Sequence, residues 1–321
     1  MMKKVIGVMI FLVPLILLGS VISYCQENKS LALTEYLLER PAWGMIEWNS
    51  ATLPAGFWYP SFDLVYLNNG TYFNNGNEKD YPGGRDSTVY VVSGKLMYGV
   101  TNQLTLGVDI PLVATQKVDS GGLYLKAKRE KTGITSVGDI RLFLKYHIFD
   151  RYFWSLAVEA GPTLPTGKSY DKVNAKQSGT GDGQVDLNFG LKGDILFTED
   201  SFLKWGLDLT HQFRRTYRND EGDLIREKLG DFVKTEAGFV RNFRNFGMGG
   251  SLEFFAWQST KWNDQVIRDP SNLLYISLYF AVGDITPQKH GKLAFFLDFP
   301  FTGKNTPATY RVGASIKSIF K

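Results

Sequence analysis

The chain has one cysteine, Cys25, so no internal disulfide can staple the fold, which must hold itself by backbone pairing and packing. It has three histidines, of which His147 and His290 are too far apart in the pattern to suggest a metal site, and no Cys/His/Asp cluster has ligand spacing. There is no block of one charge. The 36 Lys and Arg and 32 Asp and Glu are scattered over 321 residues to a formal net charge of +4, with no basic stripe to track a phosphate backbone, so nucleic acid is not an expected partner. Past Ile22 no stretch approaches the roughly eighteen uncharged residues that a membrane-crossing helix needs. A mature chain that crosses a membrane must therefore do so in strands.

The one long apolar run is at the start. Lys3 and Lys4 precede Val5 to Ile22, and Ser20 and Ser23 supply small residues, which together read as an export signal over residues 1–25. The run is about long enough to anchor a bilayer, but Pro14 near its middle and the switch to Gln26, Glu27 and Asn28 favour cleavage. A lone Cys after such a run can accept a lipid, but the bulky Tyr24 before Cys25 argues against it. Residues 26–55 form a periplasmic N-terminal segment, read as a lead-in, a plug or a loosely ordered terminus, where Ser30 is placed to cap a short helix that Pro41 would end.

What the rest of the chain has in abundance is alternation. Ile140, Leu142, Leu144, Tyr146 and Ile148 point one way while Asp139, Arg141, Phe143, Lys145 and His147 point the other, the period-two signature of a strand with two unlike faces. The same split recurs along Phe57–Leu67, Thr88–Gly99, Gln103–Ala114, Val137–Ile148, Tyr152–Leu164, Gly183–Phe197 and Ser201–Arg215. It continues along Asp231–Phe243, Phe246–Trp257, Asn272–Gly283, His290–Phe299 and Ala308–Phe320, giving about twelve strands, an even number. Connections alternate as well. Long polar links (68–87, 115–136, 165–182, 216–230, 258–271 and 300–307) take turns with tight ones at Thr101-Asn102, Asp150-Arg151, Glu199-Asp200 and Arg244-Asn245.

This pattern predicts an all-β fold: a transmembrane up-and-down antiparallel barrel over residues 56–321, in the bacterial outer membrane, with long extracellular loops and short periplasmic turns. A soluble sandwich or propeller has no reason to keep long and short links in strict alternation. A soluble closed barrel would put the charged face outside, around an interior too wide for side chains to fill. In hydrocarbon every backbone N–H and C=O needs an internal partner, and a closed ring of strands supplies one without leaving an edge. An even strand count puts both ends in the periplasm. Trp154, Trp205, Trp257 and Trp262, near strand ends, fit interfacial aromatic girdles.

The inward-facing charges on this reading are Lys95, Asp109, Asp139, Arg141, Lys145, Glu159, Asp186, Lys192, Asp194, Lys204, Asp208, Lys234, Glu236, Glu253, Asp298, Arg311 and Lys317. They either line a water-filled passage and set its selectivity, or pair across the interior and plug it. GPTLPTGKS at Gly161–Ser169 looks like a phosphate-binding loop, but five residues separate Gly161 from Gly167 where that motif needs four, and no helix follows. His211 shares an outward face with Leu207, Leu209 and Phe213, the placement a lipid-hydrolysing barrel would use, yet no serine stands near it to be activated. No catalytic set, metal or cofactor is expected.

Several stretches, in order, resemble the outer-membrane barrel family associated with the MetA pathway of phenol degradation. They are ATLPAG at Ala51–Gly56, LMYGVTNQLTLGVDIPL at Leu96–Leu112, VGDIRLFLKYHIF at Val137–Phe149, AGPTLPTGKS at Ala160–Ser169 and GTGDGQVDLNFGLKG at Gly179–Gly193. The terminal Lys321 departs from the usual final aromatic, leaving Phe320 in phase. The resemblance implies a single outer-membrane barrel with a role in uptake of small aromatic or other apolar compounds, and it offers no catalytic residues to carry over. The expected partners are outer-membrane lipid, the barrel-assembly machinery during insertion, and a small solute. The alternatives are a closed structural or adhesive barrel and, behind it, a lipid-modifying enzyme.

Overall fold

Twelve strands whose outward side chains are apolar close on themselves in the computed structural model, which describes residues 49–80, 85–119, 130–151, 153–169, 180–198, 200–218, 222–243, 246–283 and 291–321. In chain order the strands are β1 (Trp58–Asn74), β2 (Asn77–Asp80), β3 (Arg85–Thr101), β4 (Leu104–Asp119), β5 (Glu130–Val137), β6 (Ile140–Arg151), β7 (Trp154–Leu164), β8 (Asp186–Thr198) and β9 (Ser201–Gln212). There follow β10 (Arg215–Arg218), β11 (Leu224–Lys228), β12 (Phe232–Asn242), β13 (Phe246–Trp257), β14 (Thr260–Trp262), β15 (Gln265–Arg268), β16 (Ser271–Gly283), β17 (Gly291–Lys304) and β18 (Thr306–Ser318). The export signal with Cys25, the helix expected after Ser30, His290 and the tips of several long links lie outside the described residues.

The ring runs β1-β3-β4-β6-β7-β8-β9-β12-β13-β16-β17-β18, each strand antiparallel to its neighbours. It closes by pairing β18 with β1, from Ser61 opposite Lys317 to Asn68 opposite Tyr310. Trp58 and Phe320 seal the seam with reciprocal backbone hydrogen bonds of 2.7 and 3.0 Å, so both ends of the barrel chain meet at the short-turn end. No strand of the ring is left with an unpaired edge, the condition for a sheet to stand in hydrocarbon.

The outward face is the greasy one. Leu106, Ile110, Leu142, Leu144, Phe189, Leu209, Leu278 and Ile316 are between 40% and 55% exposed, while Thr105, His147, Asp194 and Asp298 on the inner face are buried. A band of this extent around the whole molecule exceeds the apolar patches that soluble proteins tolerate, whereas in a bilayer it is the contact surface.

One inner position depends on glycine. A Cβ built on Gly107 would lie 2.2 Å from the Phe143 ring, which sits flat across β4 from β6. Gly107→Val therefore forces Phe143 off its place, and we expect a loss of about 1–3 kcal/mol of stability, read as a lowered denaturant midpoint of the refolded barrel. Leu106→Val, one residue along but outward, should leave that midpoint nearly unchanged.

The long links differ most from expectation, since much of them is strand. β1 turns into β2 through Asn75 and Gly76 at φ 49° and 87°, and β14 into β15 through Asn263 and Asp264 at φ 45° and 69°, both two-residue turns with the left-handed backbone that matches strand twist. Strands β10, β11, β14 and β15 form a small sheet in that order, which repeats the order of β9, β12, β13 and β16 from which they rise. The 300–307 link is no long loop: β17 reaches Lys304 and only Asn305, at φ 53°, separates it from β18. Asp150 and Arg151 belong to β6 and pair with Ser155 and Trp154 of β7, so they are strand and not turn.

Two of the girdle tryptophans are also misplaced by the sequence pattern. Trp257 points inward, stacked on Phe255 at 5.7 Å, against the buried group Phe73, Leu273, Tyr275 and Ala308. Trp262 lies in the small sheet and donates its indole N–H to Glu227 at 2.8 Å. The interior near the long-loop end is thus partly aromatic, not purely charged.

Candidate functional site

The lumen is crossed near its short-turn end by the chain's own N-terminal segment. The backbone N–H groups of Asn49 and Ser50 donate to the Asp194 carboxyl group at 3.0 and 2.6 Å, and the Ser50 hydroxyl adds a third bond at 2.5 Å while also meeting Ser155. Asn49 donates its amide to the Trp205 carbonyl at 3.2 Å, and His147 Nδ1 donates to the Ser50 carbonyl at 3.2 Å. Three residues on, Thr52 donates to the Asn102 carbonyl at 2.9 Å and the Leu53 N–H to Thr105 Oγ1 at 2.7 Å. The strap therefore runs from β8 and β9 to the β3–β4 turn. Leu53 then packs with Tyr59 and Ile319, which fixes where the strap joins β1.

Above the strap, one side of the wall carries a belt of ion pairs. Lys192 meets Asp208 at 2.6 Å and Lys204 meets Glu236 at 2.5 Å. Lys234 stands between Glu236 and Glu253 at 3.5 and 3.3 Å, and Arg311 between Glu253 and Asp298 at 3.1 and 2.8 Å. The period-two rule places these charges at alternate residues of β8, β9, β12, β13, β17 and β18, and antiparallel register brings opposite signs together across strands. Arg311 also lies over the Tyr275 ring at 4.4 Å, which ties the belt to the aromatic group above it.

The other side of the wall lines an open cavity of about 190 Å³ with the strap as its floor. Ala51, Thr52 and Leu53 form that floor, Tyr59, Met97 and Phe143 supply apolar wall, and Lys95, Arg141, Lys145, Lys317, Asp63 and Glu159 supply charge. Arg141 is paired with Glu159 at 2.5 Å.

At the long-loop end Asp139 falls between β5 and β6, where the strand breaks, and is not a member of the alternating row. Its carboxylate accepts the backbone N–H groups of Gly167 and Asp182 at 2.8 and 2.9 Å, pinning both ends of the link between β7 and β8. Thr166 and Thr180 bridge the same break through the carbonyls of Gly138 and Val137. Burial pushes the Asp182 carboxyl up to about 6, with the nearby Asp139 adding to the shift and the Gln184 N–H and Arg215 opposing it. The folded link holds that proton more tightly than an unfolded one, so its stabilisation is complete below about pH 4 and is lost as pH rises through about 6. Amide protection factors at Gly167 and Asp182 should accordingly fall between pH 4 and pH 7, and Asp182→Asn should flatten that dependence.

Of the inward charges expected from alternation, Lys95, Arg141, Lys145 and Glu159 meet at the cavity, and Lys192, Lys234, Glu236, Glu253 and Arg311 form the belt. Asp109 stands in register between Lys95 and Arg141, and Asp186 between Thr163 and Gln212 nearer the mouth. Residues whose role did not emerge from alternation are Asn49, Ser50 and Leu53 of the strap and the inward aromatics Tyr59, Phe143, Phe255 and Tyr275. His211 is outward, 3.2 Å from Asp231 and edge-on to Phe213. Among the described residues no group of three or more His, Cys, Asp or Glu is placed to hold a metal ion.

No protein-family model matches the chain, and no curated protein matches it in sequence. The resemblance to the MetA-pathway family thus rests on its motifs alone. Among solved structures, that of the COG4313 outer membrane channel from Pseudomonas putida F1 is similar over 84% of this chain and 98% of that one, with a TM-score of 0.68 at 14% identity. A CymD monoaromatic hydrocarbon channel aligns with 87% of this chain and 92% of its own at 13% identity, with a TM-score of 0.42, too low to weigh. At such identities the first likeness is one of fold: this chain has the architecture of an outer-membrane barrel.

Proposed function

We propose that the protein is an outer-membrane channel for small solutes, with small aromatic or other apolar compounds as the substrate class suggested by its MetA-family motifs. The carrying observation is a closed ring, greasy outside and polar inside, that still holds an open cavity of about 190 Å³ between its ion-paired wall and its N-terminal strap. On this reading residues 1–25 are the export signal, residues 26–55 the periplasmic segment that ends in the strap, and residues 56–321 the barrel in the outer membrane. Outer-membrane lipid surrounds the barrel and the assembly machinery inserts it. The charges along the lumen set which solutes pass, and the strap narrows the periplasmic end.

Proteoliposomes loaded with solutes of graded size test the proposal. The full-length barrel should release small solutes faster than empty liposomes and retain larger ones. A second reading, a closed structural or adhesive barrel, draws on the belt of paired charges and on the strap across the lumen. Liposomes that leak no faster with the folded barrel than without it would favour that second reading.

A further inference from the structure

Apart from the buried Lys292, opposite Lys317 on β17, the lumen's cations divide into two groups. Lys192, Lys204, Lys234, Arg141 and Arg311 each have a carboxylate partner within ion-pair distance. Lys95, Lys145 and Lys317 have no such partner among the described residues, and all three line the same cavity beside the strap. They come from β3, β6 and β18, so the convergence is produced by the closed topology and not by neighbours in sequence.

Few carboxylates near the cavity are available to them, although Asp109, beside Lys95, keeps one buried oxygen without a hydrogen-bond partner. Glu159 is held by Arg141 at 2.5 Å, and Asp194 by the N–H groups of Asn49 and Ser50. Asp109 stands in the row between Lys95 and Arg141 without lining the cavity, and Asp63 is the other acid on the lining. The lining itself thus carries four cations against two carboxylates. Arg141 also keeps a buried Nε–H without a partner. Charges withdrawn from bulk water with no carboxylate at ion-pair distance are costly, so an anion seated among them is favoured.

The rest of the lining gives the anion a body. Leu53, Tyr59, Met97 and Phe143 line the same space, and the Phe143 ring lies 5.9 Å from Lys95 Nζ and 5.6 Å from the Arg141 guanidinium. At 190 Å³ the cavity has room for about six waters or one small organic molecule. We infer that this cavity is a binding site for a small organic carboxylate with an apolar or aromatic body, its carboxylate among Lys95, Lys145 and Lys317 and its body against Phe143, Met97 and Tyr59. This deepens the channel reading, on which it rests, by naming the class of solute the lumen selects.

Calorimetric titration of the full-length, detergent-refolded barrel with benzoate, benzyl alcohol, benzylamine and acetate tests it. Benzoate should bind at least about ten-fold more tightly than benzyl alcohol or benzylamine, the difference one charge-assisted contact supplies, and at least about ten-fold more tightly than acetate, which keeps the carboxylate but lacks the apolar body. Lys95→Gln combined with Lys317→Gln should weaken benzoate by about ten-fold or more and leave benzyl alcohol unchanged. Lys145→Gln alone, the milder change, should weaken it in the same direction if the double variant does not fold. Benzyl alcohol or acetate binding as tightly as benzoate, no binding of benzoate by the folded wild type, or full benzoate affinity in the folded variants would overturn the inference. Binding in detergent needs no passage, so its failure beside intact solute flux sinks this inference alone, and benzoate binding without flux sinks the channel reading instead.

Discussion

Asp194→Ala should open the lumen, raising single-channel conductance severalfold over the wild type. The carboxyl group takes three hydrogen bonds from Asn49 and Ser50, more than any other contact of the strap. At about 1 kcal/mol net for each bond, their loss is worth roughly 3 kcal/mol, on the order of a hundred-fold in the population with the strap out of place. The far end of the strap stays tied through Thr52 and Leu53 to Asn102 and Thr105, so the segment should swing free from β8 while the barrel stays closed. A protease applied to the refolded variant should then cut near Asn49 while sparing the strands. Unchanged conductance together with unchanged protection of Asn49 would show that the carboxyl group does not hold the strap.

Leu144→Arg should block stable insertion. Leu144 lies in the middle of β6 on the outward face, 42% exposed and in register with Leu106 on one side and Ala160 on the other. An arginine on the lipid face near mid-membrane costs about 2–4 kcal/mol, a large share of the stability of a marginal barrel. The inward neighbour Lys145 is the internal control: Lys145→Arg keeps a charge on the wet face and should insert normally. Heat-modifiable migration on gels and the guanidinium midpoint in vesicles read both variants. Equal midpoints for Leu144→Arg and wild type would mean that hydrocarbon does not surround this face.

The architecture was legible because alternation is a purely local signal that each strand repeats. Leu142, Leu144, Tyr146 and Ile148 turn outward and Phe143, Lys145 and His147 inward, as their spacing demands, and pairing β1 with β18 closes the ring. The twelve wall segments match in number and nearly in bounds, with errors where polar strands run on past the membrane band. There the cue is turn chemistry: Asn75-Gly76 and Asn263-Asp264 are two-residue hairpin signals embedded in links that hydropathy alone makes look like loops.

The interior was legible only as a list of charges. Alternation fixes which face Lys95 or Glu253 occupies, but partners depend on register across strands distant in sequence, such as Arg311 with Glu253. The run Phe254-Phe255-Ala256-Trp257 has no alternation, so the inward turn of Phe255 and Trp257 left no trace in the pattern. The strap was legible only as a possible plug, without its path. Asn49 to Leu53 has no periodicity, and its position is set by Asp194, about 145 residues away, through an interaction without a local signature.

The most direct test of the whole reading is the ionic conductance of the refolded barrel in planar bilayers, full length and with residues 26–55 removed. A channel narrowed by its own strap gives discrete small openings in the full-length protein and markedly larger ones after truncation. Folded, inserted barrels that carry no current in either form would contradict it.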